Sequence, residues 1–127
     1  MALADGPDRR AAAARFGDRA QCRITTTGRR TGKPHTITIW FAHHQGTIYL
    51  LSGGRRRSDW VRNLIAHPGV VVRFSATEFP GRARLVDDPT EDRLARDLVH
   101  DKYVQRYRGS LTRWRQESLP VAIDLEA

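Results

Sequence analysis

The side chains best suited to chemistry in this sequence are arginines in two short glycine loops. Arg29, Arg30 and Lys33 lie in Gly28-Arg29-Arg30-Thr31-Gly32-Lys33-Pro34, and Arg55, Arg56 and Arg57 follow Ser52-Gly53-Gly54. Six of the 22 Lys and Arg residues are therefore gathered in two turns. Glycines let a backbone approach an anion closely, arginine forks supply paired donors, and a helix N-terminus attracts negative charge. Each loop follows a segment of strand character, and the second runs into Ser58-Asp59, a natural helix start. Such a pair is suited to a phosphorylated ligand. Ordinary turns with solvated arginines are the plainer reading of either loop alone.

Trp60 stands one turn into the helix after the second loop, where it can wall a flat ring or simply anchor the helix. Tyr103 and Tyr107 are four residues apart. On one helix face both hydroxyls could enter one pocket as proton donors or substrate clamps. The same spacing also fits an amphipathic stripe with tyrosines at its edge. Other signatures are missing from the sequence: no G-x-G-x-x-G after a strand, no Walker loop, no H-E-x-x-H and no C-x-x-C. His43 and His44 are chain neighbours, and His35, His67 and His100 show no ligand spacing, so no metal site is expected. No nucleophile elbow marks a serine.

Periodicity gives the elements that must position these residues. The alanine- and arginine-rich start, including Asp8 to Phe16, predicts a short helix ending near Gly17 or Arg19, and residues 21–27 a strand. His35, Ile37, Ile39 and Phe41 alternate with Thr36, Thr38, Trp40 and Ala42, which predicts one continuous strand. A turn at His43-His44-Gln45-Gly46 then leads into a strand at 47–52, completing a hairpin. A helix is expected from Ser58 to about Ala66, then strands at 70–74 and 79–86. Asp88-Pro89-Thr90-Glu91 opens a helix carrying Leu94, Leu98, Val99, Tyr103 and Tyr107 and stopping at Gly109. A short segment around Trp114 and a strand at 120–125 close the chain. Clustered strands with antiparallel hairpins predict an α+β fold, a small barrel or sheet with flanking helices.

A chain of 127 residues is one domain, here an N-terminal helical extension at 1–20 followed by a single unit at 21–127. The single cysteine, Cys22, forms no internal disulfide and points to a reducing, cytoplasmic setting. No apolar stretch approaches the roughly 20 residues of a membrane span, so stable membrane insertion is not expected. The net charge of +8 favours an anionic partner. A nucleic-acid-binding domain is one reading of that charge, but no reader motif accompanies it, and the expectation is a small molecule rather than nucleic acid.

Thr25-Thr26-Thr27-Gly28-Arg29-Arg30-Thr31-Gly32-Lys33-Pro34, Ser52-Gly53-Gly54, Trp60-Val61-Arg62-Asn63-Leu64 and His67-Pro68 together resemble the deazaflavin-dependent nitroreductase family. The resemblance runs from about Cys22 to the closing strand. It implies a split β-barrel of the pyridoxamine-phosphate-oxidase-like, FMN-binding-barrel type. It further implies binding of coenzyme F-420, a phosphorylated, oligoglutamylated deazaflavin, and hydride delivery to a small unsaturated or nitro-bearing acceptor. By this likeness Arg29, Arg30 and Thr31 match the segment at the cofactor's phosphate, and His35, Thr36, Ile37 and Thr38 the strand beside it. Ser52 and Gly53 match the next strand end, Trp60, Val61 and Asn63 the helix start bordering the ring, and Tyr103 or Tyr107 the tyrosines of the substrate side. The chain departs from the pattern at His35, where arginine is frequent, and in the second loop, where S-K-x-G with a longer insertion before the tryptophan is frequent and this chain has Ser52-Gly53-Gly54 with three arginines and no lysine. FMN is the alternative cofactor, and a carrier or sensor without turnover the alternative role. A homodimer is also implied.

Overall fold

The computed structural model describes residues 2–3 and 9–127. Among them eight strands form one sheet: β1 (Ala2–Leu3), β2 (Cys22–Thr27), β3 (Pro34–Ile39), β4 (Ala42–His44), β5 (Thr47–Ser52), β6 (Gly69–Phe74), β7 (Thr77–Leu85) and β8 (Leu119–Leu125). Four helices accompany them: α1 (Arg9–Ala13), α2 (Asp59–Ala66), α3 (Pro89–Tyr103) and α4 (Thr112–Glu117). The strand order is β3-β2-β6-β7-β8-β5-β4, with antiparallel neighbours along this path, and β1 pairs with β7 in parallel.

β3 and β4 are opposite edges of that order, yet only Trp40 and Phe41 lie between them. Three peptide units reach at most about 11 Å. The sheet must therefore curl until its two edges meet, and the result is a split barrel whose seam is crossed by the chain. The single strand expected at 35–42 is thus two strands with different partners. Alternation runs through the switch because Phe41 still faces inward, fully buried, as Ile37 and Ile39 pack against the same core. His43 and His44 belong to β4, and the turn is Gln45-Gly46, at φ 50° and 81°. Only β4 forms the hairpin with β5, Ala42 opposite Tyr49.

The barrel interior holds Ile24, Phe41, Ile48, Leu50, Val72, Phe79, Val121 and Ile123 in one apolar cluster. A second cluster lies outside the sheet, where Ala95, Val99 and Tyr103 of α3 pack on Tyr49, Leu51 and Ala122. β5 is buried on both faces along its whole length, Thr47 to Ser52. α1 and the 3-10 turn after it, Ala14–Phe16, cap the barrel: the Phe16 ring stacks on Phe74 at 4.9 Å and meets Phe79 edge-on at 5.8 Å. The start of the expected N-terminal helix, including Asp8, lies outside the described residues. The two-residue β1 is too short to leave a periodicity in the sequence.

α3 begins as its sequence predicts: the Asp88 carboxylate accepts from the Glu91 amide at 2.8 Å, with proline next to the cap. It ends at Tyr103 rather than near Gly109. Residues after Tyr103 offer little to bury, with Val104 and Tyr107 exposed, so no packed face extends the helix there. No helix among the described residues is long and apolar enough to cross a membrane.

One polar cluster ties the two layers together. Arg84 Nη1 meets Glu91 Oε1 at 2.6 Å and Arg84 Nε meets Asp124 Oδ2 at 2.6 Å. The Tyr49 hydroxyl donates to Glu91 at 2.7 Å and the Thr47 hydroxyl to Asp124 at 2.9 Å. Hydrogen bonds from Arg84 hold both carboxyls below their ordinary values of 4.5 and 3.8. A carboxylate with a depressed folded pKa stabilises the fold above its unfolded pKa and stops doing so as pH falls through the folded one. Glu91 and Asp124 should therefore give an acid-labile component of stability that is complete at neutral pH and decays below about pH 4.5. Arg84→Met should flatten that acid limb, as read from urea midpoints across acidic pH. An unchanged limb would assign acid sensitivity to other groups.

Candidate functional site

The first glycine loop is shaped by its own backbone. The Gly28 amide donates to the Lys33 carbonyl at 2.7 Å and the Gly32 amide to the Gly28 carbonyl at 2.9 Å, with Gly32 at φ 73°. Arg29 folds back onto α2. Its amide and Nη1 both donate to Asn63 Oδ1, at 3.1 and 2.9 Å, and Nη2 reaches Asp59 at 3.2 Å. Asn63 is buried, and its Nδ2 donates to Thr26 Oγ1 at 3.3 Å. One asparagine thus brackets the loop, the second strand and the helix into a fixed geometry. A Cβ on Gly28 would lie 2.7 Å from His35 Nε2 and 3.0 Å from Thr31 Oγ1, so glycine is what lets these side chains converge. Gly28, Arg29, Arg30, Thr31, His35, Asp59 and Asn63 line an open cleft of about 260 Å³ at the N-terminus of α2. Two guanidinium groups against one exposed carboxylate leave that cleft with a surplus of positive charge.

The second loop is built differently. The buried Ser52 hydroxyl donates to the Arg55 carbonyl at 3.0 Å and pairs with the Ser58 hydroxyl at 2.9 Å. Ser58 occupies the N-cap position of α2 but makes no side-chain capping bond, because its hydroxyl serves this loop instead. Arg55, at φ 54°, donates to the Glu117 carbonyl and fastens the loop to the end of α4. Arg56 and Arg57 are exposed.

At the far end of β3 the surface turns aromatic. Trp40 stacks on Tyr103, with centroids 4.2 Å apart, and meets Trp114 edge-on at 5.7 Å and Tyr107 edge-on at 6.0 Å. Thr38, Ile39, Trp40, Leu51, Tyr107 and Trp114 are among the residues lining a cavity of about 480 Å³. That is ample for a small organic ligand. Gly53 sits beside it: a Cβ there would come 3.7 Å from Trp114 Cδ1. His35 at the basic cleft and Ile39 at the aromatic cavity are four residues apart on one edge strand, about 13 Å.

Several expected residues therefore converge, and some do not. Arg29, Arg30, Thr31, His35 and Asn63 meet at the basic cleft, and Thr38 and Tyr107 at the aromatic cavity. Ile37 and Trp60 are half-buried against the barrel core, and Val61 is fully buried within it. Thr36 is turned to the other face of β3, its hydroxyl paired with that of Thr25 at 2.8 Å, and lines neither space. Tyr103 and Tyr107 do not share a helix face, since α3 ends between them.

The Tyr103 hydroxyl is also not free. It accepts from the Phe41 amide at 3.0 Å and donates to the Ala20 carbonyl at 2.7 Å, and burial pushes its pKa up to about 12. Those bonds satisfy backbone groups at the seam, where no ladder partner exists for Phe41. The expectation of two tyrosine hydroxyls in one pocket is thus not met: Tyr107 lines the aromatic cavity and Tyr103 does not. Sequence reasoning did not single out Trp40, Leu51, Leu111 or Trp114 for the cavity. Trp40 is concealed by an unbroken alternation, and Leu51 of β5 is far in sequence from Leu111 and Trp114, the cap and body of α4.

The residues present suit a phosphorylated cofactor with a flat ring: a glycine cradle that a Cβ would fill, flanking guanidinium groups, and an aromatic cavity further along the same strand. Comparison with solved structures gives the same fold. An F-420-H(2)-dependent reductase matches at 22% identity and TM-score 0.67, over 85% of this chain and 95% of that one. An FAD-binding protein from Mesorhizobium loti matches at 15% identity and TM-score 0.66, over 92% and 89%. A domain-swapped dimer matches at 23% identity and TM-score 0.67, over 86% and 81%. The fold is thus a split β-barrel shared with flavin-binding proteins. A sequence model of the F-420-H(2)-dependent quinone reductases matches residues 9–126. The chain therefore belongs to that family, and it is an oxidoreductase that works with coenzyme F-420.

Proposed function

We propose that the protein reduces a small quinone, or another flat unsaturated or nitro-bearing acceptor, at the expense of reduced coenzyme F-420. The observation that carries this reading is a single edge strand with a basic cleft at one end and an aromatic cavity at the other. The bound coenzyme supplies a hydride. Arg29, Arg30 and Thr31 hold its phosphate, with the α2 N-terminus behind them. His35, Ile37 and Thr38 flank it along β3, and Asn63 keeps the loop in register. Ser52, Gly53 and Trp60 support the ring's surroundings, and Val61 contributes from the core. Ile39, Trp40, Leu51 and Trp114 exclude water from the cavity. Tyr107, through its hydroxyl, delivers the proton that the reduced acceptor needs.

The reading is tested by titrating the purified protein with coenzyme F-420 beside FMN, then following oxidation of the reduced coenzyme by a naphthoquinone and a nitroimidazole. Saturable coenzyme binding with turnover of at least one acceptor is expected. Binding of FMN alone would move the chemistry to another flavin, and binding without turnover would leave a carrier.

We extend the proposal to a homodimer, which the domain-swapped dimer among similar folds supports. Sedimentation equilibrium should return twice the monomer mass at micromolar concentration; a monomer throughout would remove it.

A further inference from the structure

Trp40 lies where β3 has ended and β4 has not begun, so no ladder fixes its main chain. Three contacts from the last two residues of α3 do so instead. The Tyr103 hydroxyl accepts from the Phe41 amide at 3.0 Å, and the Lys102 ammonium donates to the Phe41 carbonyl at 2.9 Å. The third contact acts on the indole itself: the Tyr103 ring stacks on Trp40, centroids 4.2 Å apart and planes at 7°. Tyr103 is buried and is not part of the lining of the aromatic cavity, whereas Trp40 is. The tyrosine therefore backs the indole from behind. Trp114 and Tyr107, both at the cavity, stand nearly upright to Trp40, at 86° and 77°. Among the described residues no second ring lies parallel to the indole. The cavity is thus a flat floor with two upright walls, and a residue outside it sets the floor. Stacked rings often do no more than fill a core, yet here one member of the pair is buried and the other faces a cavity of about 480 Å³.

We propose that Tyr103 is a positioning residue and Trp40 a specificity-determining one. The tyrosine ring fixes the indole as a flat floor, and the floor selects acceptors whose reducible ring is fused to a second planar ring. The inference rests on reading the aromatic cavity as the acceptor's. An indole is itself two fused rings, so a single planar ring covers only part of it. A puckered second ring cannot lie at stacking distance along the whole length of the floor. The ring and the hydroxyl of Tyr103 have separate duties: the ring orients Trp40, and the hydroxyl ties that ring to the seam. Lys102 still holds the Phe41 carbonyl when the hydroxyl is removed, so the stack outlasts its loss.

The experiment compares a methyl-substituted naphthoquinone with its tetrahydro derivative, which keeps the quinone and every carbon but puckers the second ring. Quenching of tryptophan fluorescence gives both affinities, with and without coenzyme. Wild-type protein should favour the planar quinone by about fivefold, the size of effect that a stacked aromatic pair adds beyond buried area. Tyr103→Phe keeps the ring and should keep that preference, although it loses the hydroxyl's bonds. Tyr103→Leu removes the stack and should bring the preference close to one with coenzyme affinity unchanged, thermal melts confirming the fold. Trp40→Leu removes the floor itself and should do the same, so the test stands even where Tyr103→Leu does not fold. The proposal is overturned by equal affinities in the wild type, by a preference that survives Trp40→Leu or a folded Tyr103→Leu protein, or by one lost in Tyr103→Phe. A coenzyme affinity that falls together with the preference would put Trp40 under the coenzyme's own ring, and overturns it as well. Because the ratio is also read without coenzyme, failure of F-420 to bind would sink the proposed function and leave this test standing.

Discussion

Replacing both guanidinium groups of the first loop, Arg29→Ala with Arg30→Ala, should weaken coenzyme F-420 by roughly a hundredfold or more in a fluorescence titration. A hydrogen bond to a charged group is worth about 1.5–3 kcal/mol, and tenfold in affinity is about 1.4 kcal/mol, so two such contacts suffice even after solvent screening of the exposed Arg30. The single variants separate two roles. Arg29 is tied to Asn63 and Asp59, so Arg29→Ala should loosen the loop from α2 and lower thermal stability along with affinity. Arg30→Ala should lower affinity alone. Arg29→Lys keeps the charge but not the fork that reaches Asn63 and Asp59 together, and it should recover only part of the loss. A double variant within threefold of wild type would remove this loop from the coenzyme site.

Much of this arrangement was written in local sequence. Each glycine loop carries its breakers and its arginines within a few residues, and Asp88-Pro89 announces a helix through capping chemistry that acts over one turn. These signals need no tertiary context. The seam is different. Alternation at 35–42 reports which face each side chain takes and says nothing of which strand it pairs with, so the switch from β2 to β5 at Trp40-Phe41 leaves no mark. The same limit applies after Tyr103. Four-residue spacing suits a helix, but helices persist in proteins only where a face is buried, and α3 runs out of barrel to cover. The aromatic cavity inherits both limits, because its walls come from the seam, β5, the turn after α3 and α4. The basic cleft was legible because it is a loop; the aromatic cavity was not, because closing the barrel is what assembles it.

That difference makes the two tyrosines the sharpest remaining test. Tyr107→Phe should lower turnover at saturating coenzyme and acceptor by about a hundredfold, the usual worth of a positioned proton donor, with little effect on stability because the side chain is half exposed. Tyr103→Phe should do the reverse. Its hydroxyl satisfies the Phe41 amide and the Ala20 carbonyl where the sheet edges meet, and to serve an acceptor it would have to abandon both. Removing it leaves the buried Phe41 amide unpaired, at a cost of about 1–3 kcal/mol in urea unfolding, while turnover per folded molecule changes little. The Phe41 carbonyl keeps a second donor, Lys102 Nζ at 2.9 Å, so the seam should weaken without opening. If Tyr107→Phe turned over at the wild-type rate, the proton would have to come from water admitted to the cavity, and the turn carrying Tyr107 would be a wall and nothing more.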